Sequence, residues 1–144
     1  RQSLELLRQM VRCRRTAHAY LQEGRCLGLL PVLGKNPIHV TGAYQGSRGG
    51  VAENVPFHAV MASGWLAKDG TVGVAMVNIS DKPRTVHVKI PAERAGVANF
   101  GSWSVQPIDY TDVPEVVPTL RNGHIIEVTL PAKTPIIFSA KPLK

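Results

Sequence analysis

A single segment of this chain repeats its apolar residues at helical spacing. From Ser3 to Gln22, Leu6, Met10, Cys13, Ala17, Tyr20 and Leu21 recur at steps of three and four, the pattern of one face of a helix of about five turns. Leu4, Leu7 and Val11 widen that stripe near its start. Gly24 follows closely, the residue expected where a helix closes in a left-handed turn. No later segment has this period, so the rest of the chain must fold as strands and turns.

The remainder is punctuated at regular intervals. Leu27 to Leu33 is apolar and interrupted by Pro31, and Pro37 introduces a short strand from Ile38 to Thr41. Gly42 to Gly50 contains four glycines and reads as a loop excursion. Phe57 to Leu66 is one long extended run, closed by a hairpin turn at Lys68, Asp69 and Gly70. Thr71 to Ile79 returns with both faces apolar apart from Asn78, as a central sandwich strand does. Arg84 to Ile90 alternates polar and apolar residues, which predicts a half-buried strand. Phe100 to Ile108 carries Trp103 and Val105 on one face, and Asp109 to Pro118 suits an edge. Arg121, Asn122 and Gly123 turn the chain into His124 to Leu130, and Ile136 to Ser139 is the last strand. Together these predict a mainly β fold: one N-terminal α-helix (1–25), then an antiparallel β-sandwich of about seven or eight strands (26–144). Strand order is not encoded in periodicity, so immunoglobulin-like and jelly-roll topologies both stay open.

The net charge of +7, from 17 basic and 10 acidic residues, invites a nucleic-acid reading. Its distribution argues against one. Six basic residues and two acids fall between Arg1 and Arg25, three lysines lie from Lys133 to Lys144, and the body between carries eight of each sign. A nucleic-acid surface interleaves cations with aromatic rings, and the neutral body does not. Arg8, Arg12, Arg14 and Arg15 instead mark a solvated or partner-facing side of the helix. No apolar run approaches the ~20 residues of a membrane-spanning helix, so no membrane partner is expected. The two cysteines, Cys13 and Cys26, have neither CxxC spacing nor nearby histidines, and both are expected as buried small apolar residues.

No motif for a phosphate loop, a dinucleotide, a zinc protease or a nucleophile elbow occurs, so neither catalytic residues nor cofactors are expected. Ser63, His58 and Glu53 could form a triad on paper, but a packed strand is a poor site for a strained nucleophile. Asp69 and Asp81 occupy turns, and Glu127 lies on the polar face of a strand. Asp109, Asp112 and Glu115 share one loop but lack the regular spacing of a calcium site, so no metal is expected. His87 and His124 are expected to face water. Aromatic rings could stack on sugars: Tyr44, beside Gln45 and Arg48, is the best candidate, with Trp65 and Trp103 behind it. The simpler reading of the two tryptophans is core packing between sheets.

Read together, the helix and the central hairpin resemble a known family. The run from Arg15 to Leu27 looks like the last helix of a (β/α)8 barrel leaving into a C-terminal sandwich. Phe57 to Trp65, with Asp69, Gly70 and Val74 to Asp81, is similar to the signature hairpin of such sandwiches, and Leu130 to Ala132 with Pro135 to Phe138 to their terminal strand. The resemblance is to bacterial barrel-type glycoside hydrolases. It covers most of the chain through packing motifs, none of them catalytic. It implies an accessory C-terminal domain that stabilises the catalytic barrel of the same parent, with carbohydrate as a second partner, in a secreted or periplasmic protein. The family's catalytic carboxylates sit on barrel strands, so no such residue carries over to this chain.

The expectation is therefore a non-catalytic domain cut from a longer enzyme, consistent with a start at Arg1 inside the helical pattern. Two alternatives stand beside it. One is a free-standing carbohydrate-binding module using Tyr44, Arg48 and Trp103, and the other is an immunoglobulin-like adhesion or assembly domain.

Overall fold

A computed structural model describes residues 2–45, 49–97, 101–108 and 116–143. The helices are α1 (Gln2–Thr16) and α2 (His18–Leu21). The strands are β1 (Arg25–Leu30), β2 (Leu33–Gly34), β3 (Ile38–Gln45), β4 (Val51–His58), β5 (Val60–Leu66), β6 (Val72–Asn78), β7 (Arg84–Lys89), β8 (Trp103–Pro107), β9 (Thr119–Arg121), β10 (Ile125–Leu130) and β11 (Thr134–Pro142). Every pairing is antiparallel. One sheet has the order β1-β5-β6-β11-β8, a second has β2-β7-β10-β9, and β3 and β4 form a separate two-stranded ribbon.

The two larger sheets share one core, which makes the fold a sandwich. Val60, Ala62, Val74, Met76, Ile136 and Phe138 from the first sheet pack with Val86, Val88, Ile126, Val128 and Leu130 from the second. Period-two alternation produces this, because it sends every second side chain of β7 and β10 inward. β6 is nearly continuous in its burial because it has partners on both sides and layers on both faces. The outer layer on the first sheet is the helical segment: Cys13, Ala17 and Tyr20 pack with Ala67 and Ile137, with Trp65 and Ala75 at the margin.

Several expectations need correction. The helix does not run unbroken to Gln22, because α1 ends at Thr16 and α2 starts at His18, with Ala17 between them at φ −96° and ψ 29°. No glycine or proline marks this break. Gly24 is not in the left-handed region; a Cβ there would lie 2.4 Å from the Tyr20 carbonyl oxygen and 2.9 Å from that of Leu66, so glycine is required for close backbone approach.

The run from Phe57 to Leu66 is two strands in different sheets. Ala59 is the pivot: its N–H donates to the Pro37 carbonyl and its own carbonyl accepts from the Ile79 N–H, each at 2.8 Å. Alternation continues through such a corner, which is why the pattern does not reveal it. Gly42 to Gln45, expected as loop, extends β3, and the Phe57 ring from β4 covers Gly42 at 3.8 Å from a built Cβ. Cys26, expected buried, is exposed on the edge strand β1, whereas Cys13 is buried, and neither forms a disulfide. The strand total, eleven among the described residues, exceeds the expected count because β2 and β9 are short edges that no sequence pattern marks, residues 51–56 extend β4 ahead of Phe57, and the run from Phe57 to Leu66 divides at Ala59.

Candidate functional site

Of the sugar platform expected at Tyr44, Arg48 and Trp103, only the Trp103 side chain lies among the described residues. Tyr44 is placed by its backbone on β3 opposite Ala52, and its side chain and Arg48 lie outside the described residues. Trp103 is only 2% exposed and packs in the inter-sheet core, so its ring offers no open face for stacking. Trp65 is not between the sheets. It lies on the helix side of the first sheet, where its indole N–H donates to Ser63 Oγ at 2.9 Å.

That bond also bears on the triad. Ser63 is engaged by Trp65, and His58 Nδ1 is bonded to the Asn36 carbonyl at 2.9 Å. The acids Asp109, Asp112 and Glu115 lie outside the described residues, and among the described ones no group of three His, Cys, Asp or Glu could hold a metal. Also among the described residues, no helix is long and apolar enough to cross a membrane.

One titratable cluster went unread in the sequence. On the outer face of the second sheet, Glu127 Oε2 accepts from both His87 Nε2 and Arg121 Nε. The three residues come from neighbouring strands β7, β10 and β9, where His87 and Glu127 are cross-strand partners. The hydrogen bond from His87, helped by Arg121, holds the Glu127 carboxyl below its ordinary range. The signal was available, since alternation puts both residues on the wet face, but register was needed to bring them together.

A cavity of about 850 Å³ opens between the β1–β2 connection and the turn after β7, lined by Leu30, Pro91, Ala92, Val97, Trp103 and His124 among others. Arg94 at its wall is already committed: its guanidinium Nη1 donates to the carbonyls of Leu29 at 2.7 Å and Leu27 at 3.3 Å. The cavity therefore presents mainly apolar walls.

The least ordinary surface belongs to α1. One side of this helix docks through Cys13 and, beyond its end, Ala17 and Tyr20. Roughly 150° around the axis, Leu4, Leu7 and Val11 are 51%, 56% and 44% exposed, with Met10 at 45% beside them. A helix whose only partner is the sandwich needs a single apolar stripe, and this helix carries two. Exposed arginines flank the second stripe at positions 8, 12 and 15 and Arg14 closes its end, with Arg8 paired to Glu5 at 3.9 Å. No family model matches the chain, and no curated protein or solved structure matches it.

Proposed function

We propose that this chain is a non-catalytic accessory β-sandwich of a glycoside hydrolase, with α1 held between the sandwich and the enzyme's catalytic barrel. The observation that carries the reading is the pair of opposed apolar faces on α1, one seated on the first sheet and one carrying Leu4, Leu7 and Val11 into solvent. A helix buried on two sides belongs between two layers, and the outer layer of a (β/α)8 barrel is itself made of helices. The resemblance of the Arg15–Leu27 run to a final barrel helix supports the same placement. The sandwich's role is then mechanical: it covers an apolar side of the barrel and fixes the exit of its last helix.

The reading is tested by the accessibility of that face. In a Cys26→Ser background, Leu7→Cys is labelled with a water-soluble maleimide in this chain alone and in the protein from the whole natural reading frame. The expected result is rapid labelling of the isolated domain and labelling slowed roughly tenfold or more in the longer protein, as burial of the thiol requires. Equal rates in both would overturn the proposal.

A further inference from the structure

The second face of α1 has a charge pattern as well as an apolar one, and together they describe its partner. Leu4, Leu7 and Val11 follow one another at steps of three and four, the spacing of a two-helix seam. Arg8 and Arg15 stand beside that seam seven residues apart, with Arg12 between them one position further out. Arg14 occupies the next seam position, so the apolar stripe ends in a cation. Glu5 is the one acid on α1.

We propose that this face is a docking seam for one amphipathic helix that carries carboxylates along its flank. A second copy of the chain fits badly: an antiparallel copy would set Arg8 against Arg15, and a parallel copy would stack Arg14 on Arg14. An anionic bilayer fits less well than a helix, because four aliphatic side chains with no aromatic ring give little to insert. A helix with Leu or Ile in its own seam and Glu or Asp beside it fills the stripe and sets carboxylates opposite Arg8 and Arg15. The inference deepens the accessory-domain reading, since it gives the chemistry of the barrel helix that would cover α1, but its test needs no barrel.

Two synthetic three-heptad peptides with the same leucine seam serve as probes, one with Glu and one with Lys at the flanking positions, alongside phosphatidylserine-containing vesicles. The Glu peptide is expected to bind the domain roughly tenfold tighter than the Lys peptide, a preference that shrinks as salt rises. The Arg8→Glu/Arg15→Glu variant is expected to reverse the order, and Leu7→Asp, at an exposed position, to abolish both while the far-UV spectrum stays native. Equal binding of the two peptides, binding of neither, preference for the vesicles, or a dimer in sedimentation would each overturn the inference. If the peptides fail while Leu7→Cys is still protected in the longer protein, the charge rule falls and the accessory-domain reading stands. If the peptides bind as expected and Leu7→Cys is not protected, that reading falls and the acidic-helix seam stands.

Discussion

The ring of Tyr20 lies directly against Gly73: a Cβ built at position 73 would stand 2.7 Å from Cδ1 and 2.9 Å from Cγ of that ring. The phenol oxygen reaches past it to Ser139 Oγ at 2.9 Å, on the neighbouring strand β11. Burial raises the Tyr20 phenol above its ordinary value, and the Ser139 bond partly offsets that. This contact pins the end of the helical segment to the first sheet, and so sets which face of α1 is left outside.

Gly73→Ala is therefore expected to push Tyr20 off the sheet. Overpacking of this kind costs about 1–3 kcal/mol, and hydrogen exchange in α2 should rise more than in β6. A variant with unchanged melting temperature and unchanged α2 protection would show that the ring is not held there.

Gln9 predicts the opposite sign. Its side-chain oxygen is buried with no hydrogen-bond partner among the described residues. Gln9→Met removes an orphaned acceptor while keeping the volume, and thermal unfolding should show about 1 kcal/mol of added stability. A loss of stability would mean that the oxygen is satisfied in solution.

Asn78 ties the end of β6 to two turns. It is fully buried; its Nδ2 reaches the carbonyls of Lys82, Leu130 and Pro131, and its Oδ1 accepts from the Ser80 N–H and hydroxyl. Asn78→Ala leaves those groups unpaired in the interior, and a loss of about 2–4 kcal/mol is expected from denaturant unfolding. A loss below about 1 kcal/mol would contradict this role.

Acid stability should depend on Glu127. Its carboxyl is held low in the folded state, so its contribution is complete above the ordinary carboxylate range and is lost as pH falls through the depressed folded value. Glu127→Gln should thus be less stable than the parent at neutral pH, with the two acid-unfolding curves converging at low pH. A gap that stayed constant to the lowest pH would reject the linkage to His87 and Arg121.

Arg94 guards an edge. β1 is the outermost strand of its sheet, and the Arg94 guanidinium occupies two of its carbonyls beside Leu29, which is 78% exposed. Arg94→Ala should speed aggregation, read by light scattering, with little change in melting temperature. Unchanged aggregation would mean that the edge needs no such cover.

What could be read from sequence follows from how local each signal is. The Asn122–Gly123 turn, with φ of 52° and 73°, and the Asp69–Gly70 hairpin, where Asp69 accepts from the Thr71 N–H at 2.9 Å, are written in adjacent residues. The alternation of β7 and β10 also showed their buried faces. The corner at Ala59 did not show, because it depends on the distant Pro37 and Ile79. Gly73 did not show for the same reason, since the ring that excludes a Cβ there comes from the distant Tyr20, whereas Gly24 is crowded first by the nearby Tyr20 carbonyl and only then by that of Leu66. On α1, Leu4, Leu7 and Val11 were read as part of the helix's apolar stripe, but which stripe docks was decided only by contacts to Ile137 and Ala67.

The natural reading frame upstream of the Arg1 codon tests the central claim most directly. The account predicts that sequencing it will show roughly 250 residues of alternating strand and helix in continuous frame, with acidic residues at strand ends. A start codon or a signal peptide immediately before Arg1 would contradict it, and the exposed face of α1 would then need a partner from another chain.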